Sequence, residues 1–192
     1  MGVFDNFING TEINPVGEVG ESRHFINEYD MKDECSSIVD SFYLEGKASV
    51  FADGGLGERL DITTSFYDDV KRSMGIDAEL SFVPMSFGQQ GGYNPQNNSI
   101  ELNMNLLEQK DCSGLLNTIL HEARHAFQLK AIENPNSVSV DVGKINEWRE
   151  NFVNYIPPEL DYEEYRNQSV EADAFAYADT ILPDSTCQGH FA

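Results

Sequence analysis

The sequence predicts an α+β fold, with short strands in the middle of the chain and helices on both sides of them. Apolar residues recur every four positions over 60–74, which is typical of a helix with one buried face. Strand patterns separated by turn residues occupy 80–102. Helical patterns return between residues 113 and 182. No clear linker interrupts the sequence, so we expect one domain spanning residues 1–192.

The first third of the chain is predicted to be an irregular arm followed by short elements. Glycine and acidic residues make 1–22 an irregular N-terminal arm. A helix is predicted over 33–45 and a short strand over 47–52. The helix over 60–74 is expected to end at Gly75, because glycine readily takes the left-handed conformation that closes a helix.

The middle of the chain is predicted to be a strand followed by a hairpin. The strand covers 80–83, and turn residues at 91–98 with apolar alternation at 100–102 indicate the hairpin. The hairpin leads into a helix with Ser113 as its N-cap. Two later helices are predicted at 142–155 and 161–182.

Charge and composition limit the classes of partner. Lys and Arg total 12 against 33 acidic residues, which is a formal net charge of −21. Nucleic acids and anionic membranes require basic patches, so neither is an expected partner, whereas a basic polypeptide is compatible. With 40% hydrophobic residues, the chain can bury a core without disulfides. The oligomeric state is left open.

The cysteine count and the N-terminal residues bear on the expected compartment. The 3 cysteines form no CxxC pair, which argues against a disulfide framework and a thiolate zinc site. No apolar run is long enough to cross a membrane. The N-terminal sequence lacks the basic and apolar regions of a classical signal peptide. We therefore expect a cytoplasmic protein, or one exported without a classical signal peptide.

The helix after the hairpin carries an HExxH motif, formed by His121, Glu122 and His125. Two histidines four residues apart lie one turn apart on the same face of a helix, so both imidazoles can bind one metal ion, most often zinc. Glu122 can then act as a general base on a metal-bound water. The alternative is a solvated polar face that carries two histidines by chance.

This helix is amphipathic. The two histidines are expected to face a cleft or solvent, and Arg124 to pair with a carboxylate. The apolar stripe on the other face consists of Leu115, Leu116, Ile119, Leu120, Ala123, Ala126 and Phe127.

A catalytic zinc site needs a third protein ligand. The metzincin continuation HExxHxxGxxH is excluded, because Gln128 and Ala131 occupy its Gly and final His positions. Glu171 sits at the edge of an apolar stripe, where an ionised carboxylate needs a partner such as a metal. Glu164 is its main rival, and Asp173 is expected to face solvent. The alternative role for Glu171 is a boundary glutamate bonded to an arginine or a backbone amide.

Three segments together resemble the gluzincin branch of the zincin metallopeptidases. They are GGYNPQNNSIELN, LNTILHEARHAFQ and SVEADAFAYAD, and the resemblance covers about residues 80–182. It extends to small bacterial metallopeptidase domains, including those used as secreted toxins or effectors. It implies a zincin-like fold with a metallopeptidase core at 80–182. A small mixed or antiparallel sheet would have its edge strand before the HExxH helix, where extended substrate binds. The C-terminal helices would carry the third ligand.

The resemblance implies a zinc-dependent peptidase. His121, His125 and Glu171 would hold Zn²⁺, and Glu122 would be the general base for hydrolysis of a polypeptide substrate. The sequence departs from the gluzincin ExxxD pattern, because Phe175 stands where an aspartate would orient a zinc histidine. Substitutes for that aspartate are Asp173, Asp179 and Asn167. Candidate stabilisers of the oxyanion are Tyr155, Tyr165, Tyr177 and His190.

Two further hypotheses remain open. The chain can be a zincin-fold binding or regulatory protein without catalysis. It can also be an acidic interaction domain in which the HExxH motif is coincidental.

Overall fold

The computed structural model describes residues 25–86 and 88–182. The predicted N-terminal arm at 1–22 and His190 lie outside the described residues. The helices α1 to α3 are Glu28–Leu44, Lys47–Asp53 and Leu56–Met74. The strands β1 to β3 are Glu79–Val83, Gly91–Asn94 and Ser99–Asn103. The helices α4 to α7 are Ser113–Glu133, Val142–Val153, Tyr162–Asn167 and Ser169–Ile181. The predicted α+β class is confirmed.

The sheet has three strands in the order β1-β3-β2 and is mixed. β1 runs parallel to β3, whereas β2 and β3 form the predicted antiparallel hairpin. The expectation that the strand directly before the HExxH helix is an edge strand is therefore wrong for β3, which is central. Ile100 and Leu102 in β3 are fully buried, and a central position covers such side chains best. The edge next to α4 is β2.

The edge strand β2 approaches α4 closely because it contains glycine. A Cβ atom added at Gly91 would lie 2.7 Å from Cγ2 of Thr118 in α4, so no larger residue fits without movement. The hydroxyl of Thr118 also lies 3.3 Å from Oε1 of Gln90, just before β2. Gly91, one of the two glycines that indicated a turn, thus allows the sheet edge to lie against the HExxH helix.

The segment predicted as a strand at 47–52 is instead the helix α2. It begins after Gly46, whose positive φ of 75° is a conformation that glycine adopts readily. The helix carries Phe51 into the core, where the guanidinium of Arg59 lies 5.2 Å from the centre of its ring. Tertiary packing of one aromatic ring therefore outweighs the local strand preference.

The helix predicted over 161–182 is two helices, because Gln168 between them has an extended conformation. The side chain of Gln168 fixes this break by bonding to the main-chain N–H and C=O of Ile156, at 3.1 and 2.8 Å. The side chain of Asn151 in α5 accepts a hydrogen bond from the main-chain N–H of Val170 at 2.9 Å. These contacts fix where α7 begins.

Other predicted boundaries differ by a few residues. α1 begins at Glu28 rather than at residue 33, because Asn27 caps it by accepting a hydrogen bond from the N–H of Tyr29. Ser113 is the first residue of α4 rather than its cap, and its N–H donates to Asp111.

Helix α4 lies at the centre of the molecule. It packs against α7, α5, α3 and the β2–β3 hairpin, so that nearly all of its middle is buried. The predicted apolar stripe is in the core. Among the described helices, none is both long and apolar enough to cross a membrane.

Candidate metal centre

The two histidines of α4 lie on consecutive turns and point at the same place. Their Nε2 atoms are 3.1 Å apart, and their ring centres are 4.8 Å apart. Both residues are only 7% exposed, so the polar face expected in a cleft or solvent is buried. The cause is α7, which packs across this face of α4.

Glu171 in α7 brings its carboxylate to both histidines. Oε2 lies 3.2 Å from Nε2 of His121, and Oε1 lies 3.4 Å from Nε2 of His125. Ligands at the usual zinc distances occupy the corners of a tetrahedron with edges of about 3.3 Å. The separation of the two Nε2 atoms and the contact of each with one oxygen of Glu171 are all close to this edge length, with a different carboxylate oxygen facing each histidine.

The donor atoms are also incompletely satisfied without a cation. Oε2 of Glu171 makes no hydrogen bond, although it is buried and close to His121. Two Nε2 atoms face each other and the same carboxylate, which is a poor arrangement for neutral imidazoles but a suitable one for metal ligands. Two imidazole nitrogens and one carboxylate oxygen are a donor set typical of zinc.

Glu122 is a second buried carboxylate at the site. His121, Glu122 and His125 form a buried group that can hold a metal ion, with ligand atoms within 4.8 Å of one another. Glu171 is not a member of this group, but its Oε2 and Oε1 lie 3.2 and 3.4 Å from the Nε2 atoms of His121 and His125, so it too is placed to coordinate. This arrangement leaves Glu122 beside the ligands, where the main-chain amide of Tyr93 in β2 faces it.

Burial and neighbouring charges shift the pKa values of these groups in different directions. Burial raises the pKa of Glu122 more than the nearby imidazoles lower it. Burial would also raise the pKa of Glu171, but the two imidazoles hold it well below its usual range. Burial would lower the pKa of His125, but Glu171 raises it to about 9. The pKa values of Glu122 and Glu171, on two helices packed against each other, are thus shifted in opposite directions.

Arg124 and Asp173 form a buried ion pair next to the site. Nε of Arg124 donates to Oδ2 of Asp173 at 2.7 Å, and the guanidinium also pairs with Glu28 of α1. The prediction that Arg124 pairs with a carboxylate is confirmed. The expectation that Asp173 faces solvent is wrong, because Arg124 and Lys144 surround it.

Gln128 links this ion pair to a histidine. Its Oε1 lies 2.9 Å from Nδ1 of His125, and its Nε2 donates to Oδ2 of Asp173 at 2.8 Å. The sequence places Gln128 beside the histidines on the polar face of the helix, but no role at the site was predicted for it. The available signal was its spacing, since position i+3 places it on the same helical face as His125.

Phe175 contacts the other histidine, with a distance of 4.4 Å between the ring centres of Phe175 and His121. Nδ1 of His121 is buried and has no hydrogen bond. The other substitutes proposed for the missing aspartate lie elsewhere. Asp179 is exposed, and the amide of Asn167 donates to the main chain of Glu163. The rival ligand Glu164 is exposed at the start of α6.

The tyrosine candidates divide into two groups. The hydroxyl of Tyr155 donates to Oε1 of Glu171 at 2.7 Å, and the ring of Tyr165 packs at 6.2 Å from that of Tyr155. Tyr177 is instead buried with Arg124, whose guanidinium lies 4.8 Å from the centre of its ring. The structure therefore brings Tyr155 and Tyr165 to the carboxylate of Glu171 and places Tyr177 in the core.

Comparison of the chain with protein-family models, curated proteins and solved structures gives no match. Functional inference consequently depends on the geometry of the site itself.

Proposed function

We propose that the protein is a zinc-dependent peptidase with a zincin-like fold. The observation that carries the proposal is the convergence of His121, His125 and Glu171, with donor separations of 3.1–3.4 Å. A buried Glu122 beside these donors supplies the general base that a hydrolase needs. The small mixed sheet next to the HExxH helix and the later helix with Glu171 support the zincin-like fold.

The chain's own residues have distinct roles in this proposal. His121, His125 and Glu171 would hold zinc, which when bound supplies a Lewis acid that activates water and polarises the scissile carbonyl. Glu122 takes up the proton of the attacking water and passes it to the leaving amine. The raised pKa of Glu122 suits a group that must accept and then release a proton.

Tyr155 is the better placed oxyanion stabiliser among the described tyrosines that contact Glu171. Its hydroxyl is already at the ligand set, 2.7 Å from Glu171. Burial and the carboxylate of Glu171 raise the pKa of Tyr155, so its hydroxyl stays protonated and able to donate a hydrogen bond.

Extended polypeptide is the proposed substrate, and β2 is the proposed place of binding. In an antiparallel pair, alternate residues direct their main-chain groups away from the partner strand. The bond from the N–H of Asn103 to the C=O of Gln90 sets this alternation, so Gly91 and Tyr93 face away from β3. The net charge of −21 favours a basic polypeptide.

The low exposure of the ligands favours one alternative, a zincin-fold binding or regulatory protein that holds the metal without catalysis. Both histidines are 7% exposed and Glu171 is 1% exposed, which restricts access of a substrate carbonyl. This protein would bind zinc but cleave nothing.

The first experiment is the zinc content of the purified wild type, His125→Ala and Glu122→Gln by plasma mass spectrometry, after supply of zinc and removal of excess. We expect stoichiometric zinc in the wild type and Glu122→Gln, and a loss in His125→Ala. Cleavage of unfolded basic polypeptides by the wild type is expected to fall about 100- to 10,000-fold in Glu122→Gln.

Each outcome separates the hypotheses. Zinc without cleavage would favour the binding protein. Full cleavage by Glu122→Gln would overturn the proposed mechanism, and absence of zinc from the wild type would overturn the metal site.

A further inference from the structure

The side-chain amide of Gln128 can have only one orientation. Its Nε2 lies 2.8 Å from Oδ2 of Asp173 and 2.9 Å from the main-chain oxygen of Val170, and both of these atoms are acceptors. The nitrogen must therefore point at them, and Oε1 must point at Nδ1 of His125, 2.9 Å away. Since Oε1 only accepts, Nδ1 of His125 must carry the proton.

We infer that Gln128 is a positioning residue that holds the proton of His125 on Nδ1 and so keeps Nε2 as the coordinating nitrogen. The inference rests on the proposed metal site. Nε2 of His125 is the atom that faces His121 and Glu171. The hydrogen bond at Nδ1 thus selects the tautomer and the ring orientation that the metal requires.

Asp173 orients Gln128, and it is itself held from two sides. Arg124 binds Asp173 through two nitrogens, at 2.7 and 3.2 Å, and Lys144 of α5 binds it at 2.7 Å. Both cations contact the carboxylate of Asp173, which therefore serves as an acceptor for the amide of Gln128. Each hydrogen bond in the series therefore joins a donor to an acceptor. Arg124 and Gln128 both donate to Asp173, and His125 donates to Gln128.

Arg124 anchors the series because it cannot move or lose its proton. It is 1% exposed, and its guanidinium lies 4.8–5.3 Å from the ring centres of Phe127, Trp148 and Tyr177. A second carboxylate, that of Glu28, also pairs with it. The position of His125 is thereby tied to α1, α5 and α7, whereas Nδ1 of His121 has no hydrogen bond.

The test compares Gln128→Met with a charge-neutral double variant, Gln128→Glu with Asp173→Asn. Methionine keeps the length of the side chain but accepts only weakly. In the double variant the carboxylate at 128 still accepts from Nδ1 of His125, but its other oxygen faces the C=O of Val170, so the expected recovery is partial. The control is Thr63→Val in α3, a buried residue whose hydroxyl bonds only locally, to the C=O of Arg59 at 2.7 Å.

Two readouts are measured on the full chain. The first is zinc affinity, by competition with a chromophoric chelator. We expect a loss of about 10- to 100-fold in Gln128→Met, partial recovery in the double variant and no change in Thr63→Val. The second is the ¹H–¹⁵N resonance of the Nδ1 proton of His125 in the metal-free protein. A slowly exchanging signal is expected in all variants except Gln128→Met.

The outcomes distinguish this inference from the proposed function. Wild-type affinity and a preserved Nδ1 signal in Gln128→Met would overturn the inference and leave the metal site intact. A loss in Gln128→Met that the double variant does not recover even in part would also overturn it, since packing would then be the cause. Absence of zinc binding by the wild type would overturn the proposed function and the coordinating role of Nε2. The Nδ1 signal would still decide the hydrogen bond.

Discussion

Two clusters of charged side chains lie side by side between α4 and α7, and they differ in how well they are satisfied. The arginine cluster contains Arg124, Lys144, Asp173 and Glu28, with two cations against two anions in mutual contact. The ligand cluster contains His121, His125, Glu171 and Glu122, and two of its buried polar atoms have no hydrogen bond, against one in the arginine cluster, Nη1 of Arg124.

The difference shows what each cluster is suited for. Buried charges that are paired with opposite charges hold the surrounding helices in one arrangement and require no additional ligand. In the ligand cluster, Oε2 of Glu171 and Nδ1 of His121 are buried without a hydrogen bond, and Oε2 lies on the side that faces the histidines. We therefore interpret the arginine cluster as structural and the ligand cluster as a binding site. The side chain of Gln128 connects the two clusters.

The largest effect on stability is expected when the arginine cluster loses its central cation. Arg124→Met leaves Asp173 and Glu28 without their main partner, and we expect it to lower the free energy of unfolding by about 3–5 kcal/mol. Urea denaturation measures it. The control is Arg72→Met, whose exposed pair with Asp69 should contribute no more than about 1 kcal/mol. Equal losses in both variants would show that the arginine cluster has no special role.

The second largest expected effect is the stabilisation of the folded protein by bound zinc. Zinc at 100 times its dissociation constant should stabilise the wild type by about 2.7 kcal/mol, because it binds only the folded chain. Thermal unfolding with zinc and with a chelator measures this shift. Glu171→Gln should show a much smaller shift, since the amide is a poorer ligand. If the wild type melted at the same temperature in zinc and in chelator, the ligand cluster would not be a zinc site.

The stability of the metal-free protein and its affinity for zinc should change with pH in opposite directions. The pKa of His125 in the metal-free fold is about 9, above its ordinary 6.5. Its contribution to stability is therefore complete below pH 6.5 and is lost as the pH rises through 9, by at most about 1.4 kcal/mol per pH unit. Zinc must displace that proton, so zinc affinity should rise up to about tenfold per pH unit over the same window.

Denaturation and zinc titrations at several pH values between 6.5 and 9 test this prediction. A metal-free protein that becomes more stable over that window would contradict the assigned charge state of His125.

The smallest expected effect concerns His121. Phe175→Leu removes the ring that packs on His121 and should cost about 0.5–1.5 kcal/mol of stability, with a few-fold loss of zinc affinity. Denaturation and chelator competition measure the two effects. A loss of zinc affinity as large as that of Gln128→Met would show that both histidines depend equally on their neighbours.

Most helices were predictable because their signals are local. The four-residue recurrence over 60–74 and the glycine after it gave α3 to within a few residues of Leu56–Met74. The hairpin was predictable from its turn residues and from the alternation at Ile100 and Leu102. The segment 47–52 was mispredicted because a short apolar run fits either a strand or a helix, and burial of Phe51 decides.

The site was predictable only in part. Glu171 was selected because a carboxylate at the edge of an apolar stripe needs a partner, and the structure brings it to both histidines. Asp173 was assigned to solvent because a helical wheel gives an angle but not the neighbours at that angle. Those neighbours, Arg124 and Lys144, come from two other helices.

The sequence by itself determined that His121, Glu122 and His125 share one helix, with the two histidines one turn apart on the same face. Helix geometry sets that relation, and it needs no contact beyond the next turn. Only the tertiary structure decided that α7 covers this face, that the carboxylate of Glu171 contacts both histidines, and that Gln128 binds His125. These contacts join residues from separate helices, and their geometry depends on packing around Arg124 and on Gln168 setting the start of α7. Local periodicity specifies which face a residue occupies, whereas packing of the whole core specifies what lies opposite it.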